Sequence, residues 1–203
     1  DILKLYQENA KRIFHHKSLW QAFIKNEPFY SREALEKLLA ESFNPFDYRT
    51  NDTRIYHCKT RLCIPTYDLD KGEQHVFKTD HLPNYPRDCH IPVVNAALAT
   101  AAAPVYFTPH SFNFNDMNST NRSEYINNVD GGVLANNPTL LGLTEAVYCI
   151  GIPLEEIEIL SLGTGTFNLK DRINGKKRGV RYWLCPNRQK SIPTINPSPD
   201  NFF

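Results

Sequence analysis

The chain has 203 residues, a formal net charge of +1, and 41% hydrophobic with 12% aromatic residues. This is enough apolar side chain to bury a core, and it gives no global attraction to nucleic acid, so no nucleic-acid partner is expected. Five cysteines, Cys58, Cys63, Cys89, Cys149 and Cys185, include no Cys-x-x-Cys pair. The spacing fits neither a zinc site nor a small disulfide scaffold, and free thiols in a reducing compartment are expected.

In chain order, "DILKLYQENAKRIF" repeats apolar residues at helical spacing and predicts an amphipathic helix from the first residues onward. Asp1 rather than Met heads it, which suggests processing or a fragment. A second helix follows "YSREALEKLLAESF", with Ser31 as N-cap and Leu35, Leu38, Leu39 and Phe43 as its apolar stripe. "RLCIPTYDLDKGEQHVFKT" changes to a two-residue period and reads as a hairpin turning at Gly72, with Pro65 marking an edge or bulged strand. "IPVVNAALATAAAPVYFTP" predicts a short helix stopped by Pro104, its small face (Ala97, Ala101) suited to close backbone contact, then an extended aromatic segment. Residues 108–128 are Asn/Ser-rich and read as a surface loop. Asn137 and Pro138 open another helix, ended by Gly151, and "IEILSLGTG" reads as a short strand before a Gly-rich turn. Alternating strands and helices of these lengths imply an α/β layer fold with a largely parallel sheet.

The residues that carry chemistry centre on "VDGGVLANNPT". Asp130 precedes Gly131 and Gly132, whose missing side chains permit dihedrals closed to other residues, so an acid can be held at a strand end facing a crevice. An Asp-Gly-Gly turn without chemistry explains the same residues, and in isolation it is the commoner case. The neighbours tip the balance. "ALATAAAPVYFTP" lies upstream, "ANNP" follows directly, and "LSLGTG" comes later. Together these motifs resemble the patatin-like phospholipase family, whose segments read approximately A-x-A-T-S-A-A-P-x-Y-F, V-D-G-G-x-x-A-N-N-P and L-S-L-G-T-G. The first two helices also resemble the stretch after that family's nucleophile elbow, so the likeness runs over residues 1–167. "RDCHIPVVNAALATAAAP" has the flavour of bacterial stand-alone members.

The resemblance implies a three-layer α/β/α hydrolase fold and a lipid acyl hydrolase of phospholipase A type. It would use a Ser-Asp dyad without histidine, on a phospholipid or other acyl-lipid substrate. Asp130 matches the dyad aspartate, the proton acceptor from the serine hydroxyl, and should be sequestered enough to act as a base. No cofactor or metal is implied. The departure is that no G-x-S-x-G occurs in these residues. Ser161 sits in "ILSLG" where Ile159 replaces the first glycine, and it matches the structural motif instead. The expectation is therefore a partial patatin-like domain over residues 1–168, its N-terminal strands and serine missing, and a basic, proline-rich element over 169–203. The alternative is an inactive truncated module acting in interaction or regulation.

Other candidates carry less. "GTGTFN" lacks the lysine of a phosphate loop and the third glycine of a dinucleotide fingerprint. The histidines have no metal-ligand spacing and are expected on the surface, and His110 is not recruited beside Asp130. Arg87, Asp88 and Arg122 receive no role. Residues 170–190, basic with Tyr182 and Trp183 interleaved, could touch an anionic membrane, although a solvated face with inward aromatics explains them more simply. The sequons at Asn51, Asn118 and Asn121 are read as chance in an Asn-rich chain. No apolar run approaches the roughly 18 residues of a membrane span and no signal peptide is visible. A cytoplasmic location is expected, with peripheral membrane association or signal-free secretion as alternatives.

Overall fold

A computed structural model describes residues 2–15, 24–25, 27–43, 53–81, 87–115 and 122–163. Helix α1 spans Ile2–Ile13 and α2 spans Glu33–Phe43. The Ser31 hydroxyl accepts the Glu33 N–H at 3.3 Å, the cap its position suggested. Strands β1 (Cys63–Asp68) and β2 (Glu73–Lys78) form the expected hairpin, and Gly72 takes φ +69 in the turn. Helix α3 is Val93–Thr100, and β3 (His110–Asn115) and β4 (Arg122–Asp130) follow it. A single turn, α4 (Gly132–Ala135), leads to α5 (Thr139–Thr144) and a π-helical turn over Glu145–Ile150.

The sheet is four-stranded, ordered β2-β1-β4-β3, and every pairing in it is antiparallel. The expected largely parallel sheet is thus corrected for the described residues. The outer pairs β1–β2 and β3–β4 join strands adjacent in sequence, which pair antiparallel, and the two pairs meet antiparallel through β1 and β4. The expected loop over 108–128 is also corrected, because much of it is β3 and β4. The inward face of β3 carries His110, Phe112 and Phe114 in strict alternation with exposed Ser111, Asn113 and Asn115. Polar residues on the outward positions disguised a half-buried strand as a loop. A register shift between His110 and Phe112 coincides with Asn127 at φ +52, an irregularity that bends β4 just before Asp130.

The core joins this sheet to α3. Ile55, Phe77, Ile91, Val93, Ala96, Ala99, Phe112, Phe114 and Tyr125 form one buried cluster. The α3 alanines buried there are Ala96 and Ala99 rather than the expected Ala97 and Ala101, which stay half-buried. Small side chains let the helix lie close to the strands, so aromatic rings of Phe77, Phe112 and Tyr125 fill the space between. The helix ends before Pro104, and the segment beyond is turned rather than extended. Val105 sits at φ +74, held where Phe29 N–H donates to its carbonyl and Tyr30 N–H to that of Tyr106.

Pro65 is compatible with a central strand because β4 pairs with β1 only from Thr66 to Asp68. Gly151, at φ +79, ends the last helix in the left-handed cap its position implied. The expected strand in "IEILSLGTG" does not form: residues 157–163 carry no strand pairing among the described residues, and Leu160 and Leu162 are 80% and 84% exposed. A strand exists only against a neighbour, and none of the four strands supplies one. All labelled elements belong to one unit, Asp1–Ile159; of the second, Leu160–Phe203, residues 160–163 are described. The sequons, the end of "GTGTFN" and the basic run 170–190 lie outside the described residues.

Candidate active site

Asp130 is the last residue of β4, opposite Thr66 of β1. Its backbone is clamped from two sides. The Asp130 N–H donates to the Ala102 carbonyl at 3.0 Å, beyond the end of α3. Next to it, the fully buried Thr66 hydroxyl donates to the Val129 carbonyl at 2.7 Å. The side chain is half-buried, and Oδ1 accepts the Gly132 N–H at 2.6 Å. Among the described residues no donor occupies Oδ2. The result is a carboxylate with one oxygen fixed by the backbone and, among the described residues, no donor on the other.

The glycines are needed for space, a correction to the expectation of unusual dihedrals. Gly131 has φ −61 and ψ −23, ordinary for any residue. A Cβ there would lie 2.2 Å from the Pro65 carbonyl oxygen and 2.6 Å from its carbon. Pro65 cannot easily retreat, because the Thr100 hydroxyl donates to the same carbonyl at 2.7 Å. At Gly132, a Cβ would lie 2.8 Å from Asp130 Oδ1, the atom that the backbone fixes. Downstream, Asn137 Oδ1 accepts the Thr139 N–H at 3.0 Å and its hydroxyl at 2.6 Å, capping α5 as "ANNPT" suggested.

Of three histidines expected on the surface, His110 is buried and His75 and His81 are half-buried. His110 lies on the inward face of β3, paired with Asn128, two residues before Asp130. Its Nδ1 is 3.0 Å from Arg32 and its Nε2 is 3.3 Å from Asn95. Burial first, and the Arg32 charge second, hold its pKa down at about 4, so the ring is neutral at pH 7. His75 packs edge-on against Phe77 and Tyr125, and sits 3.7 Å from Asp88. Asp88, given no role from sequence, is buried. Burial alone would raise its carboxyl, but the hydrogen bonds and charge of Arg87, with His75 close by, hold it below the ordinary carboxylate value. The strand alternation of β2 and β3 held the signal for these inward positions.

The third, His81, belongs to a group that sequence spacing concealed. Its Nδ1 is 2.9 Å from Glu145 Oε1, and Lys78 Nζ reaches Glu145 Oε2 at 2.9 Å. Cys63, His81 and Glu145 place their ligand atoms within 4.8 Å of one another. Burial, with the Glu145 charge beside it, pushes the Cys63 thiol up to about 11. The Glu145 carboxyl would be raised by burial, but hydrogen bonds from Lys78, His81 and Cys149 bring it below its ordinary value.

The motif order and the fixed Asp130 can be set against known proteins. The family model for patatin-like phospholipase matches residues 1–143. This chain belongs to the patatin-like phospholipase family. A "cGAMP-activated phospholipase" of Vibrio cholerae serotype O1 is 34% identical over 142 residues, covering 68% of this chain and 36% of that protein. "Patatin-like protein 1" of Arabidopsis thaliana is 28% identical over 215 residues, 96% of this chain and 50% of that protein. "Probable inactive patatin-3-Kuras 1" of Solanum tuberosum is also 28% identical, over 92% of this chain and 50% of its own length. The chain therefore spans between about a third and a half of the curated relatives it matches.

Proposed function

We propose that the complete protein is a lipid acyl hydrolase that cleaves ester bonds of glycerophospholipids or related acyl lipids, with Asp130 as its general base. The observation that carries this is the Asp130 carboxylate, fixed through Oδ1 by Gly132 and open at Oδ2, in a chain of the patatin-like family. In the reaction, a serine hydroxyl supplied from outside these 203 residues attacks the ester carbonyl. Asp130 Oδ2 takes the hydroxyl proton as the new C–O bond forms, then returns it to the leaving alcohol; water next attacks the acyl-serine, giving its proton to Oδ2, and the fatty acid leaves as that proton passes to the serine oxygen. General-base catalysis of this kind contributes roughly 10²–10⁴-fold. The enclosing domain is read as three-layered α/β/α over residues 1–168, followed by a basic, proline-rich element over 169–203. Exposed Val133, Leu134 and Leu140 suit a face that further strands or a lipid surface would cover. A cytoplasmic location with peripheral membrane contact fits a lipid substrate.

The test is Asp130→Asn, expressed from the complete reading frame. Acyl release should fall by roughly 10²-fold or more, with thermal unfolding close to wild type. Wild-type turnover in a folded variant refutes the assignment.

A second reading is an inactive module. It is favoured by the lack of G-x-S-x-G in these residues and by the 28% identity to a relative whose name says inactive. A fluorophosphonate probe separates the two. Covalent labelling of a serine outside these residues supports the hydrolase, and no labelling in the complete protein supports the inactive module.

A further inference from the structure

We propose that Cys63, His81 and Glu145 form a binding site for a divalent transition metal, zinc above all. The site stands apart from Asp130 and does not depend on the hydrolase reading. Its ligands come from three places: the first residue of β1, the segment after β2, and the first residue of the π-helical turn. Cys63 and Lys78 are paired across the open end of the hairpin, so a bound ion would fasten that end to the helix downstream of Asp-Gly-Gly.

Thiolate sulfur, imidazole nitrogen and carboxylate oxygen are the donors zinc takes in proteins. In a tetrahedral centre with metal–ligand distances of about 2.0–2.3 Å, neighbouring donors stand about 3.3–3.8 Å apart. The three here fall within 4.8 Å, so closure needs movement on the order of an ångström. Two of the donors are shielded from solvent: the side chains of His81 and Glu145 are 5% and 12% exposed. An orienting partner is also in place. His81 Nε2 is 2.9 Å from the Thr79 hydroxyl, whose oxygen also accepts the Leu62 N–H at 2.9 Å. That hydroxyl fixes the ring plane with Nδ1 facing the other donors, the outer-shell arrangement that ligating histidines use.

Lys78 is the rival occupant. Its ammonium holds both Glu145 oxygens, at 2.9 and 3.1 Å, and an ion pair alone would satisfy that carboxylate. It does not account for a thiol and an imidazole gathered about the same carboxylate. The Lys78 side chain is 32% exposed and can swing to solvent as a metal enters. The two readings make opposite predictions for Lys78→Met. Removing a competing cation tightens metal binding, whereas removing half of a plain ion pair lowers stability and leaves metal affinity unchanged.

The experiment titrates the chelator-stripped full chain with Co²⁺ and then Zn²⁺. The Co²⁺ form should show the intense ligand-field bands of a tetrahedral centre and a thiolate-to-metal charge-transfer band. Zn²⁺ should displace Co²⁺ stoichiometrically. Cys63→Ser should weaken that charge-transfer band and lower Zn²⁺ affinity by roughly 10-fold or more, and Lys78→Met should raise affinity. Because Lys78→Met keeps all three donors, it decides the question even where Cys63→Ser folds poorly. A weak octahedral Co²⁺ spectrum, or Zn²⁺ affinity indifferent to Lys78→Met, overturns the proposal.

Discussion

Replacing each glycine of the Asp-Gly-Gly turn by alanine should have opposite consequences. In Gly131→Ala the new Cβ starts 2.2 Å from the Pro65 carbonyl oxygen, when ordinary contact begins at 3.4 Å, so the backbones must part by 1.2 Å (3.4 − 2.2). Neither side yields easily. Pro65 is held by its pairing with Val76 and by the Thr100 hydroxyl, and Asp130 is held by Ala102 and Thr66. Overpacking of this kind costs about 3 kcal/mol, which for a chain this size lowers Tm by roughly 6–12 °C. Gly132→Ala instead meets the Asp130 carboxylate at 2.8 Å, the rotatable end of a side chain. The carboxylate can turn away, and alanine in a helix recovers about 1 kcal/mol over glycine. Its Tm should stay within roughly 2 °C of wild type, while acyl release in the complete protein falls with the displaced carboxylate. Circular dichroism melts of both variants and a fluorogenic acyl-ester assay make the comparison. A Gly131→Ala variant that melts with wild type would refute the close approach to Pro65.

The remaining expectations concern pH and the clamp beside Asp130. His110 is held at about 4 against an ordinary 6.5, so between those values the unfolded chain binds the extra proton and stability rises with pH. Full stability from this group is present above pH 6.5, and roughly 3 kcal/mol is lost by pH 4. Urea midpoints at pH 7.5 and 5 should therefore differ, and His110→Gln should flatten that difference; an unchanged slope would show the ring is not shielded from protonation. Thr66→Val removes the buried hydroxyl that donates to the Val129 carbonyl and should cost about 1–2 kcal/mol. It is read as a Tm fall of a few degrees, and no fall would mean that the hydroxyl is not part of the clamp.

Local chemistry was legible wherever a residue acts on its own neighbours. The helical period of α1, the Ser31 and Asn137 caps, the left-handed Gly72 and Gly151, and the order of motifs around Asp130 all follow from the sequence, because each depends on bonds spanning a few residues. Partner choice was not. Strands β3 and β4 hide behind outward-facing asparagine and serine, and their alternation acquires meaning only once α3 lies against the inward face. Gly131 looks like a residue chosen for its dihedrals, yet the requirement comes from Pro65, far away in sequence. His110 and the Cys63–His81–Glu145 group likewise become neutral, buried or gathered only through long-range packing. Sequence thus fixed what each segment can do alone, through hydrogen bonds and torsions local to the chain. Tertiary structure decided which atoms compete for the same space and lose the same water, since both depend on segments that meet only after folding.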